Sequence, residues 1–298
     1  MRPSFSRVLQ PGLFISLAVV TLALGANGAY AAAGNCDREC LRGFITRYLD
    51  AMIAHNPSVL PRAPKLRFTE DTVDMKLGEG LWKNASGIRP YRQDILDVRQ
   101  GVAASQVIVE ESGTPVMLVL RLKVVDKKIT EVETQVTRKQ SEGAIFAIDA
   151  LQTPNKAMGI TPDRAQLASR AEAIRIAEFY PAGLKIGSFV TVDAPFALDA
   201  YRIENGRITA GPGARAGSEN AKTQTIMKHP AITHRVAAVD EELGIVLLRM
   251  NFGDTGSYGA GNALIVWEAF KVYGGQIHAV EAFMKIMPAT AGSGWDAK

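Results

Sequence analysis

The chain has 298 residues, a formal net charge of +4 at pH 7 and 47% hydrophobic residues. This length suits one large domain or two ordinary ones. The near balance of acids and bases excludes the strongly basic surface that nucleic-acid binding requires, so we expect no nucleic acid among the partners.

Residues 1–31 have the composition of a secretory signal peptide. Arg2 and Arg7 come first without an acid, an apolar segment covers 13–24, and small residues end at Ala29-Tyr30-Ala31. The apolar segment is shorter than the roughly 20 residues that a membrane-spanning helix needs. We therefore predict cleavage after Ala31, export to the periplasm or beyond the cell, and no membrane attachment afterwards. The alternatives are cleavage at Ala31-Ala32-Ala33, a retained anchor helix, and a lipid attached at Cys36. Loss of the two arginines lowers the formal charge from +4 to +2.

Two cysteines, Cys36 and Cys40, follow the predicted cleavage site. Two lone cysteines in an oxidising compartment usually pair, and one helical turn of separation is within reach of a disulfide. We predict a Cys36–Cys40 disulfide at the start of a helix, with two free buried thiols as the alternative. The four histidines show no ligand spacing, so the sequence predicts neither a metal nor another cofactor.

Two stretches, 113–133 and 261–281, both have the pattern of strand, tight turn and strand, and they align without a gap. The aligned identities are Gly113/Gly261, Lys123/Lys271, Val124/Val272, Ile129/Ile277, Val132/Val280 and Glu133/Glu281. This agreement predicts an internal duplication.

The segments before each hairpin recur in the same order. An amphipathic helix is predicted over about 37–54 and another from Thr161 onwards. The short segments 67–71 and 201–205 also correspond. We therefore predict an α+β protein with a first domain at 36–140, a joint at 141–160 and a second domain at 161–295. In each domain a curved antiparallel sheet wraps an N-terminal helix.

The chain resembles NTF2-like (SnoaL-like) cone folds, and in particular tandem secreted proteins common in fungi. The segments that carry the resemblance include Cys36-Asp-Arg-Glu-Cys-Leu41, Leu77-Gly-Glu-Gly-Leu-Trp82 and Val239-Asp-Glu-Glu-Leu-Gly244. The resemblance covers nearly all of 36–295 and implies two tandem cones. It implies little about activity, because such cones serve as isomerases, dehydratases, epoxide hydrolases, cyclases and binding modules.

The second hairpin contains the strongest candidate for chemistry. If its glycine pair forms a two-residue turn, uninterrupted pairing places Glu268 opposite Glu281 on an otherwise apolar face. Opposed carboxylates raise the pKa of one group and leave the other ionised, which suits an acid–base pair. The first hairpin lacks the pair, because Glu133 is predicted to face Leu120. The alternative is that a cation binds these glutamates and merely fastens the sheet, the candidates being Arg202, Arg235 and Lys285.

Other candidate residues are spread over the second repeat. Tyr180 faces the sheet by helical periodicity, as Tyr48 does in the first repeat, and is either a donor to a substrate oxygen or a core tyrosine. His229 is either a catalytic donor at the cone mouth or a solvated loop histidine. The candidates for substrate contact are Tyr201, Arg202, Trp267, Phe270, Phe283 and His234. The run Gly211–Gly217 lacks the lysine and setting of a phosphate loop and is predicted to be a mobile flap over one end of the cone.

Nucleophile motifs, metal clusters and nucleotide loops are absent from the sequence. We therefore expect a cofactor-free enzyme of isomerase, dehydratase or lyase type that transfers a proton on a small hydrophobic molecule in the second cone. One alternative is a non-catalytic extracytoplasmic binding protein for such a molecule or for a protein partner. Another is a structural unit that forms an oligomer with copies of itself.

Overall fold

The fold is described from a computed structural model in which Met1, residues 36–292 and residues 294–295 are described. The predicted signal peptide lies outside these residues except for Met1. The predicted disulfide is present, with the Cα atoms of Cys36 and Cys40 5.1 Å apart. None of the helices in the described part of the chain is long and apolar enough to cross a membrane.

The first half is a helix followed by a six-stranded sheet. Helix α1 covers Arg38–Ile53, and Asp37 caps it by accepting a hydrogen bond from the Cys40 backbone N–H at 2.9 Å. The strands are β1 (Arg62–Glu70), β2 (Val73–Asp74), β3 (Ala85–Asp97), β4 (Val102–Glu111), β5 (Thr114–Val125) and β6 (Lys128–Thr137). Their order in the sheet is β2-β1-β6-β5-β4-β3.

The second half repeats this plan after two short helices, α2 (Gln140–Gly143) and α3 (Lys156–Gly159). Its helix is α4 (Arg170–Ile186), and its strands are β7 (Phe196–Glu204), β8 (Arg207–Ala210), β9 (Thr233–Asp240), β10 (Ile245–Asn251), β11 (Asn262–Tyr273) and β12 (Gln276–Pro288). The strand order β8-β7-β12-β11-β10-β9 matches that of the first sheet position by position.

Two details of this plan differ from the prediction. The sheets are mixed and not purely antiparallel, because β1 pairs in parallel with β6 and β7 with β12. Helix α4 begins at Arg170 and not near Thr161, because the Ser169 side chain accepts a hydrogen bond from the Glu172 backbone N–H and caps the helix there.

The register of the two hairpins overturns the predicted glutamate pair. Both have two-residue turns with positive φ, as predicted, at 126–127 and 274–275. A bulge then shifts the pairing at Lys271, so that Glu268 lies opposite Ala282 and Glu281 lies opposite Ala269. Since one extra residue reverses the faces of all the residues beyond it, the two glutamates point to opposite sides of the sheet.

The first hairpin has its bulge at the equivalent place, Lys123. Glu133 consequently lies opposite Arg121 and not opposite Leu120. The shared irregularity supports the duplication inferred from the sequence, because a bulge at one aligned position is a feature of conformation and not only of composition.

In the described residues three large apolar clusters and a small fourth one, around Ile265, form the core. Helix α1 packs on the first sheet in one cluster and α4 packs on the second sheet in another. The third cluster lies between the two sheets and includes Tyr91, Ile95, Trp267 and Phe283. The described residues from Cys36 onwards form one compact unit. Each sheet therefore has a helix-covered face and a face buried against the other sheet.

A reciprocal pair of aspartates joins the two halves. Asp97, at the end of β3, accepts hydrogen bonds from Arg170 at 2.6 Å and from the Val239 backbone N–H at 2.9 Å. Asp240, at the end of β9, accepts equivalent bonds from Arg38 at 2.6 Å and from the Leu96 N–H at 3.1 Å. Each aspartate thus binds the first residue of the other half's helix.

Candidate functional site

Glu268 is a buried carboxyl group between the second sheet and α4. It is fully enclosed, and among the described residues no donor lies in good hydrogen-bond geometry to either of its oxygens, although the Tyr180 hydroxyl is close enough to act on it. Burial, and then the nearby charge of Glu204, raises its pKa to about 8, while Arg202 and the Tyr180 hydroxyl act in the opposite direction. At neutral pH the group is therefore mainly protonated.

Arg202 is the cation whose charge acts on this carboxyl group. Its guanidinium donates to the Tyr180 hydroxyl at 3.0 Å, to Gln224 Oε1 at 3.0 Å and to Thr209 Oγ1 at 2.9 Å. Glu204 lies 3.5 Å from Nε on the same face of β7. Burial alone would lower the pKa of Arg202, but Tyr180 and the two glutamates raise it above its ordinary value, so this arginine stays charged.

Tyr180 connects Glu268 and Arg202 to a cavity. Its hydroxyl accepts the Arg202 hydrogen bond, so its own proton can be donated either towards Glu268 or to a ligand in the cavity. Burial raises its pKa well above 10, so the phenol stays protonated. A cavity of about 190 Å³ opens beside it, and the walls of this first cavity include Tyr180, Arg202, Glu204, Phe252 and Tyr258. Glu268 itself is not on the wall.

His229 lines the same cavity. The centroid of its ring lies 4.5 Å from that of Phe252. It lies 6.4 Å from that of Tyr258, and those two rings are nearly parallel. Burial lowers its pKa, so the imidazole is neutral at pH 7. Its Nδ1 is buried without a hydrogen-bond partner in the described part of the chain. The predicted solvated loop histidine is thus a buried residue on the cavity wall.

A second cavity, of about 370 Å³, adjoins the first. The two share four wall residues, namely Ile145, Arg202, Glu204 and Thr225. The run Gly211–Gly217 reaches the second cavity through Arg215, so its place at one end of the site agrees with the prediction, while its mobility stays a prediction. Residues 144–145 of the predicted joint also line the first cavity, because Asn205 binds the Ile145 carbonyl at 2.8 Å.

Glu281 lies on the other side of the sheet, in the layer between the two halves. It accepts hydrogen bonds from the hydroxyls of Tyr201 at 2.9 Å and Tyr91 at 3.2 Å. Burial raises its pKa to about 7 in spite of these two donors. The acid–base pair predicted for Glu268 and Glu281 is therefore wrong.

The alternative prediction, in which a cation forms an ion pair with Glu268 or Glu281, is also wrong for the described residues. Arg235 binds Glu133 at 2.6 Å and Lys285 binds Asp71 at 2.6 Å. Arg202 acts on Glu268 through its charge, and its ion pair is with Glu204.

The remaining candidates divide between core and surface. Trp267 and Phe283 pack between the sheets. Phe270 is a core residue whose ring lies 5.0 Å from that of Tyr180. His234 binds Glu178 at 3.3 Å and is partly exposed. The structure thus brings together Glu268, Tyr180, Arg202 and His229, with Phe270 packed against Tyr180 in the core. It places the other predicted residues elsewhere, namely Glu281, Tyr201, Trp267, Phe283 and His234.

Sequence reasoning did not select Glu204, Thr225 and Gln224, which also line the site. The alternation Arg202-Ile203-Glu204 is a signal for the first of these, because residues two apart in a strand share a face. In the described residues no group of three histidine, cysteine, aspartate or glutamate side chains is placed to hold a metal ion.

Comparisons with known proteins give little on function. A family model described as a domain of unknown function (DUF8021) matches residues 166–284, which lie within the second half. The search of curated proteins found no match. Among solved structures, a crystal structure of a de novo designed protein with a curved β-sheet is 15% identical, with a TM-score of 0.26, over 35% of this chain and 90% of the designed one.

Proposed function

We propose that the second half is a cofactor-free acid–base site that transfers a proton on a small, mainly apolar molecule. The observation that carries the proposal is that a neutral imidazole, His229, and a charged donor pair, Arg202 with Tyr180, lie on the wall of one cavity. General acid–base catalysis needs a base and a donor placed around an enclosed substrate, and these groups supply both.

The roles follow from charge and position. Tyr180 and Arg202 donate hydrogen bonds to a carbonyl oxygen of the substrate and stabilise the negative charge that develops on it. His229, neutral because burial lowers its pKa, removes the proton from the adjacent carbon. The proton returns to a different carbon in an isomerisation, or a β-hydroxyl group leaves with it as water in a dehydration.

Glu268 acts through Arg202 and Tyr180. With a pKa of about 8 it is mainly protonated at pH 7 and does not neutralise the guanidinium. The oxyanion therefore meets a stronger positive field than it would beside an ionised Glu268. The sequence predicted Glu268 to be a general base, but a base has to reach the substrate and this carboxyl group is enclosed away from the cavity. We therefore assign Glu268 as a positioning residue.

We also propose that each half is an NTF2-like cone and that the mature protein works in the periplasm or outside the cell. A helix followed by the same six-stranded mixed sheet in both halves supports the first statement. The N-terminal composition and the Cys36–Cys40 disulfide support the second.

A second candidate is a binding protein for the same kind of molecule. The enclosure of both Glu268 and Glu281 favours it, because neither carboxylate reaches the first cavity. In that case the cavity holds its ligand without turnover.

The experiment uses small cyclic ketones as probes, with cyclohexanone first. In D2O, ¹H NMR follows the loss of the α-carbon protons, which reports proton transfer without knowledge of the natural substrate. We expect wild type to accelerate this exchange and His229→Ala to lower the acceleration by about a hundredfold. His234→Ala is the matched control, because that partly exposed histidine lies outside both cavities.

The outcomes separate the candidates. Ketone binding by calorimetry without exchange supports the binding protein and defeats the enzyme. Equal losses in the two histidine variants contradict the role of His229. If ketones neither bind nor exchange, the proposed site is wrong.

A further inference from the structure

We infer that the ligand of the second half is a small amphiphilic acid, with its apolar body in the first cavity and its carboxylate between Arg207 and Arg215 in the second. This inference rests on the proposed binding site and names the class of molecule that it takes.

The two cavities form one cleft with two chemically different ends. Apart from the residues that they share, the first cavity is walled by aromatic and aliphatic side chains that include Leu184, Phe252, Leu264 and Met284. The second is walled by polar groups that include Thr209, Ser218 and Gln224, with Arg207 and Arg215. A ligand that fills both ends must therefore be apolar at one end and polar at the other.

The charge of the polar end is positive. The wall of the second cavity carries one carboxylate, Glu204, and three guanidinium groups, those of Arg202, Arg207 and Arg215. That carboxylate is paired with Arg202 at 3.5 Å, although Arg207 is its cross-strand partner in the register of β7 and β8. Neither Arg207 nor Arg215 makes an ion pair with a carboxylate in the part of the chain that the structure describes. Two guanidiniums are thus left for an anion from outside.

The backbone holds both arginines at the edge of the cavity. Arg207 begins β8. Arg215 belongs to the glycine-rich run, which closes on itself through hydrogen bonds from the Gly211 N–H to the Ser218 carbonyl at 2.8 Å and from the Ser218 N–H to the Arg215 carbonyl at 3.0 Å. Guanidinium groups bind carboxylates through paired hydrogen bonds, which gives this end its preference for an acid.

Matched pairs of probes test the inference. Calorimetry at low salt compares 3-phenylpropanoate with 3-phenylpropanamide, which has the same shape without the charge, and 4-phenylbutanoate with its amide. We expect wild type to bind at least one acid about tenfold more tightly than its amide, and we expect added salt to reduce the difference.

The double variant Arg207→Ala/Arg215→Ala is expected to bind acid and amide within about twofold of each other and to keep its affinity for the amide. Both side chains are exposed, so the melting temperature should not change. The control is Lys83→Ala/Arg164→Ala, which removes two exposed positive charges outside the cleft and should keep the preference for the acid.

Three results would overturn the inference. Equal binding of acid and amide by wild type defeats it and leaves the proposed cavity standing. A preference for the acid that survives in Arg207→Ala/Arg215→Ala places the anion elsewhere. If wild type binds neither the acid nor the amide of either pair, the inference and the proposed function are both defeated.

Discussion

The two halves have the same strand order and the same bulge but different side chains at the positions that face their helices. In the first half, Phe68 lies opposite Val132 and Leu120 lies opposite Thr134. In the second, the equivalent positions are Arg202, opposite Val280, and Glu268, opposite Ala282. Two apolar residues of one half are thus a cation and a carboxyl group in the other.

The tyrosines of the two helices show the consequence. Tyr48 accepts a hydrogen bond at 2.8 Å from the indole of Trp82, which is buried and fills the space beside it. Tyr180 instead accepts its bond from Arg202 and lies beside an open cavity. The backbone plan therefore does not decide whether the space beside the helix tyrosine is filled or open, and a few side chains on that plan do.

The largest effect is expected at the contacts that the halves share. Asp97→Ala and Asp240→Ala should each lower the free energy of unfolding by about 3 kcal/mol, because each removes the hydrogen bonds to an arginine and leaves two backbone N–H groups without their acceptor. Urea unfolding measures the loss. Glu172→Ala, in an exposed ion pair with Arg175, is the control and should leave the free energy of unfolding nearly unchanged. A cost at only one aspartate would show that the reciprocal contacts are not equivalent in energy.

The next effect sharpens the contrast between the two cores. Glu268→Leu gives the second half the residue of the first and removes a buried carboxyl group without a hydrogen-bond partner in the described residues. We expect the variant to be more stable than wild type, by about 2 kcal/mol at pH 8. Thermal melts and urea unfolding report the change, and a loss of stability would mean that Arg202 depends on this carboxylate.

The pH dependence of that gain identifies its cause. The pKa of Glu268 is raised from 4.5 to about 8, so the folded state holds a proton that the unfolded state releases, and stability falls as pH rises towards 8. His229 and His278, with lowered pKa values, act in the opposite direction below pH 6.5. Between pH 6.5 and 8 wild type should therefore lose stability, and Glu268→Leu should lose clearly less. Parallel curves would contradict the raised pKa.

A smaller effect is expected at the helix starts. The disulfide joins Cys36, just before α1, to Cys40 in the first turn of that helix, whereas α4 begins with the Ser169 cap alone. Cys36→Ser/Cys40→Ser should cost at most about 2 kcal/mol, because the closed loop is short. Ellman titration of the denatured, unreduced wild type should find no thiol, and two titratable thiols would show that the bond does not form.

The smallest effect is expected at Glu281. Glutamine keeps the shape of the side chain and can still bond to Tyr201 and Tyr91, so Glu281→Gln should change stability at pH 6 by less than about 1 kcal/mol. Urea unfolding at pH 6 and at pH 8 measures the change. At pH 8 the variant should be more stable relative to wild type than it is at pH 6, because the pKa of about 7 leaves Glu281 ionised and buried in wild type. A fall of several kcal/mol at pH 6 would reveal a cation bound to this carboxylate.

The sequence by itself determined the features that depend on neighbouring residues. Asp37 and the apolar stripe of α1 located that helix, and the pairs at 126–127 and 274–275 located two tight turns. The aligned hairpins revealed the duplication, and the spacing of the cysteines was compatible with their bond. Each of these follows from local backbone preferences and periodicity, which a single stretch of sequence carries.

Only the tertiary structure decided which residues share a face. Both faces of β11 and β12 are buried, one under α4 and one under the first sheet, so the alternation that normally fixes the register is missing from their sequences. The bulge in this hairpin could not be read from such a pattern, and it separates Glu268 from Glu281. Glu268, Arg202 and Tyr180 come together from three elements because packing, and not sequence spacing, sets the distances between them.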